Sequence, residues 1–455
     1  MYVEQLYTNC LAEAAYYIES NGEAAIIDPL RETEPYIDLA TKRGAKIKYV
    51  FETHFHADFV SGHIDLARKV NAPIVYGPLA DTNYEVINAK DGQEFKIGNL
   101  TIRVLHTPGH TPESSCYLLL DENGKEHAIF TGDTLFVGDV GRPDLLDGFM
   151  SREELAGMLY DSLNNKIKTL PDQVIVYPAH GPGSACGKNI GKETFSTIGE
   201  QKKFNYALKD QSRDEFVTEL TNGILPPPAY FFEDARINKE GYEAIDTVID
   251  RNSKPLSAQS FEKLIDKGAI VLDTRPADEF EKGFIHGSIN IGLNGQFAVW
   301  VGTLIPIDQP LVLVTLPGKE NESVLRLARV GYEKVEGYLE GGIASWRNGL
   351  DKVKSISAEQ MNDYKVEVLD VRKPGEWNVG HLKDARFLPL AEMPSNLESL
   401  DKNDTYIVHC GGGYRSMTAI SLMKREGFNN LINVYGGFGA MVNAGLKIVT
   451  EELVG

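Results

Sequence analysis

The sequence predicts an α/β protein built from about three domains. Its 455 residues correspond to three domains at a typical ~150 residues each. Through the first half of the chain, short β-branched or aromatic runs alternate with helical patterns, which is typical of sheets flanked by helices. In the second half, residues 271–275 return as residues 368–372. We therefore expect one larger α/β domain followed by two copies of a smaller one.

Histidine and aspartate follow the predicted strands of the first half. Loops that leave strands meet at one edge of a sheet, and imidazole and carboxylate groups are ligands of first-row transition metals. A polar turn whose histidines satisfy backbone groups is the alternative for any single segment, but recurrence at four strand ends favours a metal centre. The predicted strands are 47–51, 100–105, 128–131 and 174–178, and the candidate ligands that follow them are His54, His56, Asp58, His110, Asp133 and His180.

The segments that carry these residues resemble the metallo-β-lactamase fold, an αββα sandwich, and within it the glyoxalase II and persulfide dioxygenase branch. The resemblance implies that the metal site lies at one edge of the sandwich. The matching segments are residues 54–58 (His-Phe-His-Ala-Asp), 107–111 (Thr-Pro-Gly-His-Thr), 131–136 (Thr-Gly-Asp-Thr-Leu-Phe) and 177–181 (Tyr-Pro-Ala-His-Gly).

One position departs from the pattern of the hydrolases that share this fold. They usually follow the aspartate of the first motif with a histidine that binds a second metal, whereas this chain has Phe59. Since phenylalanine has no lone pair, the resemblance implies one ion held by two histidines and a carboxylate, the ligand set of mononuclear non-haem Fe(II) oxygenases. These ligands are His54, His110 and Asp133. The residues expected to hold the ligands and waters by hydrogen bonds are His56, Asp58, His180 and Tyr177.

Two residues near these segments keep open alternatives. Cys186 lies in the glycine-rich stretch 181–188, which in related dioxygenases lies at the mouth of the active site, so it either forms a persulfide or packs in the interior. Arg142 either binds an anionic part of the substrate or is solvated or salt-bridged.

Cys116 lies within a strand pattern, and we expect it in the core, as for most buried free cysteines.

The chain changes character at the polar, turn-rich residues 250–255, where we place a domain boundary. Each copy beyond it alternates strands with helices, which predicts a small doubly wound parallel sheet. Both copies resemble rhodanese (sulfurtransferase) domains, and the predicted domains are 1–251, 256–353 and 354–455. The repeated segments are 271–275 with 368–372, Glu279–Phe280 with Glu376–Trp377, Gly283 with Gly380, and Gly341–Gly342 with Gly436–Gly437.

The second copy carries a cysteine where its strand 406–408 ends. Cys410 opens a loop of six residues that closes with Arg415; sulfurtransferases have this loop length, whereas related phosphatases carry one more residue. Backbone N–H groups and the positive end of the following helix stabilise an anionic persulfide, and Arg415 adds positive charge for an oxyanion. The alternative is a buried cysteine beside a glycine-rich turn. The residues assigned to substrate binding are Gly411, Gly412, Gly413 and Tyr414.

The first copy cannot carry a persulfide. Its equivalent strand, 311–314, runs into Thr315-Leu316-Pro317-Gly318-Lys319, and the chain has no cysteine between Cys186 and Cys410. We expect this copy to be a structural spacer that docks the active copy onto the first domain or forms an oligomer interface.

Together, the resemblances imply a bifunctional enzyme of sulfide detoxification, similar to fusions of a persulfide dioxygenase with tandem rhodanese domains. The first domain would use one mononuclear Fe(II) and O2 to oxidise a low-molecular-weight thiol persulfide of the glutathione, bacillithiol or coenzyme A type to sulfite. Cys410 would interconvert sulfite and persulfide with thiosulfate. The main alternative is a zinc glyoxalase II-like thioesterase with an attached rhodanese, and another is a non-catalytic sulfur sensor or carrier.

Composition limits the partners and the compartment. A formal net charge of -19 disfavours binding to nucleic acid or to anionic membranes. The N-terminal residues lack the layout of a secretory signal, and no apolar run approaches the ~18 residues of a membrane span. Four cysteines in so long a chain do not make a disulfide framework, so we expect a cytoplasmic protein. We also expect a homo-oligomer, either a dimer or a tetramer.

Overall fold

The computed structural model describes residues 1–145, 150–224 and 226–450, which form two compact units. The first unit contains residues 1–247 together with 328–331, and the second contains the rest of the chain from residue 248. The predicted domain ranges also include residues 146–149, 225 and 451–455, which lie outside this description. Among the described helices, none has the length and apolar character needed to cross a membrane.

Two six-stranded sheets form the centre of the first unit. The first sheet follows chain order, antiparallel over its first three strands and parallel beyond them. Its strands are β1 (Tyr2–Thr8), β2 (Glu13–Ser20), β3 (Glu23–Ile27), β4 (Lys46–Phe51), β5 (Ile74–Tyr76) and β6 (Ile87–Asn88). The strands of the second sheet are β7 (Glu94–Ile97), β8 (Leu100–His106), β9 (Ser115–Leu120), β10 (Glu126–Gly132), β11 (Ile175–Pro178) and β12 (Ser196–Thr197). Among the described strands of the second sheet, β10 and β11 pair in parallel and the other neighbours pair antiparallel.

Helices cover the outer faces of both sheets. One apolar cluster combines side chains of both sheets, including Tyr16, Phe51, Phe95 and Phe130, and so fills the space between them. Separate clusters join the first sheet to α1 and α2 and the second sheet to α3, α4 and α5. This layering confirms the predicted αββα sandwich. The helices are α1 (Glu34–Arg43), α2 (His63–Val70), α3 (Arg152–Ser162), α4 (Ile198–Phe204), α5 (Arg213–Thr221), α6 (Tyr230–Glu240) and α7 (Ile245–Asn252).

The first half of the second unit contains a five-stranded parallel sheet, in which the strands lie in the order β13-β17-β16-β14-β15. The strands are β13 (Pro255–Leu256), β14 (Ile270–Asp273), β15 (Ile289–Asn290), β16 (Leu311–Val314) and β17 (Val335–Leu339). The helices are α8 (Ala258–Asp266), α9 (Ala277–Phe280), α10 (Phe297–Leu304) and α11 (Glu320–Ala328).

The second half repeats this topology, with parallel strands in the order β18-β23-β22-β19-β21. The internal repeat read from the sequence is therefore a repeat of structure. The strands are β18 (Lys354–Ile356), β19 (Glu367–Asp370), β20 (His381–Leu382), β21 (Arg386–Phe387), β22 (Tyr406–His409), β23 (Leu431–Val434) and β24 (Ile448–Val449). The helices are α12 (Pro374–Val379), α13 (Met393–Asn396), α14 (Tyr414–Arg425) and α15 (Gly437–Asn443).

A buried ion pair explains why the Asp-x-Arg motif recurs. In the first copy the Arg275 guanidinium donates to both oxygens of Asp273 and, over 2.9 Å, to the Gly283 carbonyl. In the second copy the guanidinium of Arg372 makes the same bonds, with 2.8 Å to the Gly380 carbonyl. The motif thus ties the end of a central strand to the turn after the next helix, a structural role that both copies need.

Removing the arginine of this pair should destabilise the second unit. Arg275→Ala leaves the Asp273 carboxyl buried and unpaired, so we expect the free energy of unfolding to fall by about 3–5 kcal/mol. All three tryptophans lie in this unit, so tryptophan fluorescence in urea reports on it. Lys282→Ala, which breaks an exposed pair with Glu279, should change stability by no more than about 0.5 kcal/mol.

The loss of unfolding free energy in Arg275→Ala should also depend on pH. Burial raises the pKa of Asp273 even though Arg275 opposes the shift, and loss of the arginine raises that pKa further. A raised folded-state pKa means that stability is greatest at low pH and declines as the carboxyl ionises. The difference in free energy of unfolding between Arg275→Ala and the parent protein should therefore be larger at pH 8 than at pH 5. An equal difference at both pH values would contradict the role of Arg275 as the partner of the Asp273 carboxylate.

Candidate functional site

The six candidate metal ligands lie at neighbouring strand ends of the sandwich. The loop after β4 carries three of them, a short turn after β8 carries His110, and Asp133 directly follows β10. His180 follows β11, which pairs in parallel with β10. All six side chains are buried. The expectation that separate strand ends would bring these residues together agrees with the fold.

The ligand atoms of these residues converge on Asp133. Its Oδ2 lies 3.4 Å from Nε2 of His110 and 3.9 Å from Nε2 of His54. Its other oxygen lies 3.5 Å from Nε2 of His180, which is also 3.5 Å from a carboxylate oxygen of Asp58. Asp133 therefore lies between two groups of donors.

Hydrogen bonds fix which ring nitrogen faces the centre. Nδ1 of His110 lies 2.7 Å from the backbone carbonyl of Arg142, and Nδ1 of His180 lies 3.1 Å from that of Ala12. A carbonyl can only accept, so each Nδ1 carries the hydrogen and each Nε2 presents a lone pair. This arrangement orients histidines that ligate metals.

Several buried polar atoms at the centre lack protein partners. Such groups are costly unless something pairs with them, and here they are lone pairs directed at one small volume. The donor set therefore fits a metal ion. Within the described part of the chain, the atoms without a hydrogen-bond partner include Nε2 of His110 and His180, both carboxylate oxygens of Asp133 and Oδ1 of Asp58.

In the described part of the chain, four groups of three residues bring their ligand atoms within 4.8 Å of one another, and two of these groups consist entirely of the six candidate ligands. The first is the predicted set His54, His110 and Asp133. The second is His56, Asp58 and His180, which were predicted to surround those ligands. The Phe59 ring is fully buried and lies 4.4 Å from the ring of His56. An apolar ring therefore lies beside the second group, at the position where the hydrolases usually carry a histidine.

Burial and neighbouring charge set the protonation of the centre. Burial lowers the pKa of His54 well below its usual value, and the nearby histidines lower it further, which favours the neutral form that ligates metals. Burial alone would lower the pKa of His180, but the carboxylates of Asp58 and Asp133 outweigh it and raise that pKa. Burial, with Asp133 nearby, raises the pKa of Asp58.

Two buried acids that sequence reasoning did not select support this centre. Asp28 accepts hydrogen bonds from the backbone N–H of Thr53 over 2.7 Å and from its hydroxyl over 2.9 Å. The Thr53 hydroxyl in turn lies 2.9 Å from Nδ1 of His54, so Asp28 orients that ring through Thr53. Nε2 of His56 lies 3.2 Å from Asp28 and 3.6 Å from Glu52. Because Asp28 directly follows β3, the rule that selected the other ligands could have found it.

Asn238 on α6 holds the first motif from a distance in sequence. Its side-chain amide donates to the carbonyls of His56 and Phe59, over 2.8 Å each, and its oxygen accepts the N–H of Ser61. Asn238 is itself buried. Nothing in the local sequence of α6 indicates this role, because the contact depends on how the helix packs.

Cys186 lies at the centre, and Arg142 braces its loop. The Cys186 thiol is within 4.8 Å of donor atoms of Asp133 and His180, and burial raises its pKa well above the usual value. Arg142 donates its backbone N–H to the Cys186 carbonyl, and its guanidinium pairs with Asp144 over 2.7 Å. Of the alternatives for Arg142, the geometry matches the salt-bridged one.

Two other side chains lie among apolar neighbours. The ring of Tyr177, which was predicted beside the ligands, stacks on Phe130 with 5.4 Å between centroids and packs near Tyr16 in the cluster between the sheets. The structure therefore does not bring it to the metal donors. Cys116 lies in the core, as expected, and burial raises its pKa to about 11.

The cysteine loop of the second unit joins β22 to α14. The Cys410 sulfur accepts the N–H of Gly413 over 3.1 Å and lies 3.7 Å from the hydroxyl of Ser416. Gly437 packs against the base of the loop, where a Cβ would lie 2.3 Å from the Cys410 carbonyl oxygen, and its φ of 52° also favours glycine. The predicted contact between backbone N–H and sulfur is therefore present.

Arg415 is already engaged by a carboxylate. Its guanidinium donates to both oxygens of Glu376, over 2.5 and 2.8 Å. Burial alone would raise the pKa of Glu376, but the bonds from Arg415 outweigh it and lower that pKa. The carboxylate therefore stays charged at neutral pH. An oxyanion that uses Arg415 has to compete with Glu376 for the same two donors.

Comparison with known proteins gives the family. Residues 8–180 match the model of the metallo-beta-lactamase superfamily, and residues 257–349 and 355–444 match that of the rhodanese-like domain. Persulfide dioxygenase ETHE1, mitochondrial, from Homo sapiens is 32% identical over 209 residues, which are 45% of this chain and 74% of the human protein.

The chain belongs to the metallo-β-lactamase superfamily. Two rhodanese-like domains follow the metallo-β-lactamase domain. A hydroxyacylglutathione hydrolase from Dictyostelium discoideum is 32% identical over 226 residues, covering 48% of this chain and 78% of that protein. The crystal structure of a metallo-beta-lactamase from Staphylococcus aureus subsp. aureus COL aligns with 74% of this chain and 98% of its own, with a TM-score of 0.66 and 32% identity.

Removing the charge of Asp28 should weaken metal binding by the metallo-β-lactamase domain. Asp28→Asn keeps the shape of the side chain but weakens the acceptor that orients Thr53 and, through it, His54. We expect metal affinity to fall about tenfold to hundredfold, measured by competition with a chromogenic chelator. The control is Asp121→Asn, because Asp121 likewise accepts two hydrogen bonds, in its case from two backbone N–H groups, but lies in an exposed turn. Parent-like affinity of Asp28→Asn would show that this acid does not support the ligands.

Proposed function

We propose that the chain is a bifunctional non-haem Fe(II) persulfide dioxygenase and sulfurtransferase. It would oxidise a low-molecular-weight thiol persulfide to sulfite and interconvert sulfite and persulfide with thiosulfate. The observation that carries this proposal is the converging set His54, His110 and Asp133, together with the apolar ring of Phe59 beside His56, where hydrolases of this fold usually have a further histidine.

A metal ion at this set would be held by nitrogen atoms of His54 and His110 and a carboxylate oxygen of Asp133. Bound Fe(II) would supply the activation of O2, since two histidines and one carboxylate leave other positions open. The chain itself keeps bulk water out, because every donor is buried. The Arg142 carbonyl holds the ring of His110 in the ligating orientation.

The overall oxidation balances with one water. A persulfide R–S–SH, O2 and H2O give the thiol R–SH, sulfite and two protons, with the outer sulfur oxidised and O2 reduced. The name of the human relative, persulfide dioxygenase, supports this reaction class. Glutathione, bacillithiol and coenzyme A persulfides are the carriers to test.

Cys410 would perform the sulfur transfer. Its thiolate attacks the outer sulfur of thiosulfate, a new S–S bond forms, and the S–S bond of thiosulfate breaks with its electron pair leaving on sulfite. The N–H of Gly413 already donates to the Cys410 sulfur and would stabilise negative charge there. The reverse step, in which sulfite attacks the persulfide of Cys410, yields thiosulfate.

A zinc thioesterase of the hydroxyacylglutathione hydrolase kind is the second candidate. One observation favours it: His56, Asp58 and His180 form a second donor group beside Asp133, and two adjacent ions are common in hydrolytic metal sites. The similarity to the Dictyostelium discoideum enzyme supports it as well.

Metal analysis together with O2 uptake separates the two candidates. The purified chain is assayed for iron and zinc per chain, for O2 consumption with each persulfide, and for hydrolysis of a glutathione thioester. The proposal requires one iron per chain and O2 consumption. Two zinc ions with thioester cleavage and no O2 consumption would replace the dioxygenase with the hydrolase.

The two proposed activities should separate by mutation. Cys410→Ser removes the nucleophile, so we expect thiosulfate sulfurtransferase activity to be lost while O2 uptake remains and sulfite accumulates. Asp133→Ala removes a metal ligand, so iron and O2 uptake should be lost while sulfur transfer remains. Iron content, O2 uptake and thiosulfate are measured on the same preparations. Persistent thiosulfate formation in Cys410→Ser would refute the role of this cysteine.

Releasing Arg415 should improve thiosulfate binding. Glu376→Gln removes the competing negative charge, and because partly exposed ion pairs contribute up to ~1 kcal/mol, we expect KM for thiosulfate to fall about twofold to fivefold. Glu279→Gln is the matched control, since Glu279 holds the equivalent position in the first rhodanese-like domain and pairs with Lys282. A higher KM in Glu376→Gln would mean that Glu376 places Arg415 for the substrate and does not compete with it.

A further inference from the structure

The helix that follows the cysteine loop lies along the open edge of the sheet in the cysteine-free copy. β15 is the last strand of that sheet, so no described strand pairs with one side of it. Three side chains of α14 bond to the backbone on that side. Arg425 donates to the Gly287 carbonyl over 3.0 Å, the Ser421 hydroxyl accepts the Asn290 N–H over 3.0 Å, and the Tyr414 hydroxyl donates to the Gly292 carbonyl over 2.7 Å.

These three residues lie on one face of α14. Positions 414, 421 and 425 are seven and four residues apart, which places them on the same side of an α-helix. Side chains of α14 thus bond to β15 and to the backbone just before and after it, where another strand could otherwise pair. The cysteine-free copy therefore contacts α14 from its first residue, Tyr414, to its last, Arg425.

The contact is tightest at the end of α14 next to the loop. Gly295 lies against the ring of Tyr414, and a Cβ there would lie 2.5 Å from Cε2 and 2.6 Å from Cζ. Only glycine leaves room for the ring at this distance. Arg326 donates to the neighbouring Leu293 carbonyl over 2.6 Å, which braces the segment that receives the ring.

The ring of Tyr414 is one residue from the group that contacts sulfur. Tyr414 is the first residue of α14, and the preceding Gly413 donates its N–H to the sulfur of Cys410. Gly413 has a φ of 108°, a conformation available mainly to glycine. Two residues beyond Tyr414 along α14, the Ser416 hydroxyl donates to the Asn433 side chain over 2.8 Å. The Tyr414 contact therefore fixes the loop end that carries the N–H donor.

We infer that the cysteine-free copy positions the sulfur-transfer loop, with Tyr414 as the positioning residue and Gly292 and Gly295 as its seat. The first rhodanese-like copy then has a function that needs no cysteine of its own: it holds the Gly413 N–H against the Cys410 sulfur. Tyr414, assigned from sequence to substrate binding, acts through the loop backbone. The inference deepens the sulfurtransferase half of the proposed function.

Alkylation of Cys410 tests this inference without turnover. The full chain is treated with iodoacetamide at pH 7 and at pH 10, and modification of the Cys410 peptide is followed by mass spectrometry. Tyr414→Phe keeps the ring but removes the bond to Gly292. We expect its alkylation rate at pH 7 to fall at least threefold, because the thiolate loses stabilisation, and its rate at pH 10 to match the parent. Gly295→Ala, a change in the other copy, should act in the same direction.

The control is Arg425→Ala, which removes a bond of the same kind at the far end of α14. We expect a parent-like alkylation rate at both pH values, with unchanged tryptophan fluorescence in every variant. General loosening would instead expose the buried Cys410 and raise the rate at both pH values. Faster alkylation of Tyr414→Phe at both pH values would overturn the inference. So would a parent-like alkylation rate for Tyr414→Phe, or an equal fall in the rate for Arg425→Ala.

The sulfurtransferase assay keeps the two claims distinct. If Tyr414→Phe slows alkylation at pH 7 but no variant or parent transfers sulfur from thiosulfate, the positioning stands and the assigned reaction fails. If sulfur transfer occurs, we expect Tyr414→Phe to lower kcat at least threefold and to leave KM for thiosulfate within twofold of the parent, since Arg415 is untouched. A change confined to KM would contradict positioning.

Discussion

The metallo-β-lactamase domain depends on one constraint: lone pairs of buried side chains converge at one edge of the sandwich. Nε2 of His110 and His180 and both oxygens of Asp133 face one another without protein partners among the described residues. Such an arrangement is unfavourable unless a cation joins it. The bonds from Nδ1 to backbone carbonyls and the chain from Asp28 through Thr53 to His54 hold the lone pairs in place. Folding of this edge and metal binding are therefore coupled.

The sequence was sufficient for what is local or repeated. Candidate ligands could be chosen because each follows a strand, and β4, β8, β10 and β11 lie close to the ranges expected for them. The two parallel sheets could be predicted because the repeat preserves the Asp-x-Arg pair that closes each copy. Phe59 could be singled out because the resemblance places a histidine at this position in hydrolases of the same fold, and a phenyl ring has no donor atom for a metal.

What the sequence could not supply depends on packing between distant segments. Asn238 reaches the carbonyls of His56 and Phe59 from α6, and Glu376 reaches Arg415 from another helix, contacts that no local pattern encodes. Tyr177 was misplaced for the same reason: a tyrosine before the His180 motif can face either side of β11, and its ring lies between the sheets. The contact of Tyr414 with Gly292 joins two copies of the repeat, so the motif of the cysteine loop alone could not predict it.

The backbone along the outer side of β15 also bears on shortened versions of the chain. A fragment that stops at residue 353 keeps that strand but loses α14, so the Gly287 and Gly292 carbonyls and the Asn290 N–H would be left bare. A bare strand edge is a template for pairing with another molecule. We therefore expect such a fragment to self-associate and precipitate. In the intact chain, α14 covers this strand edge and prevents such pairing.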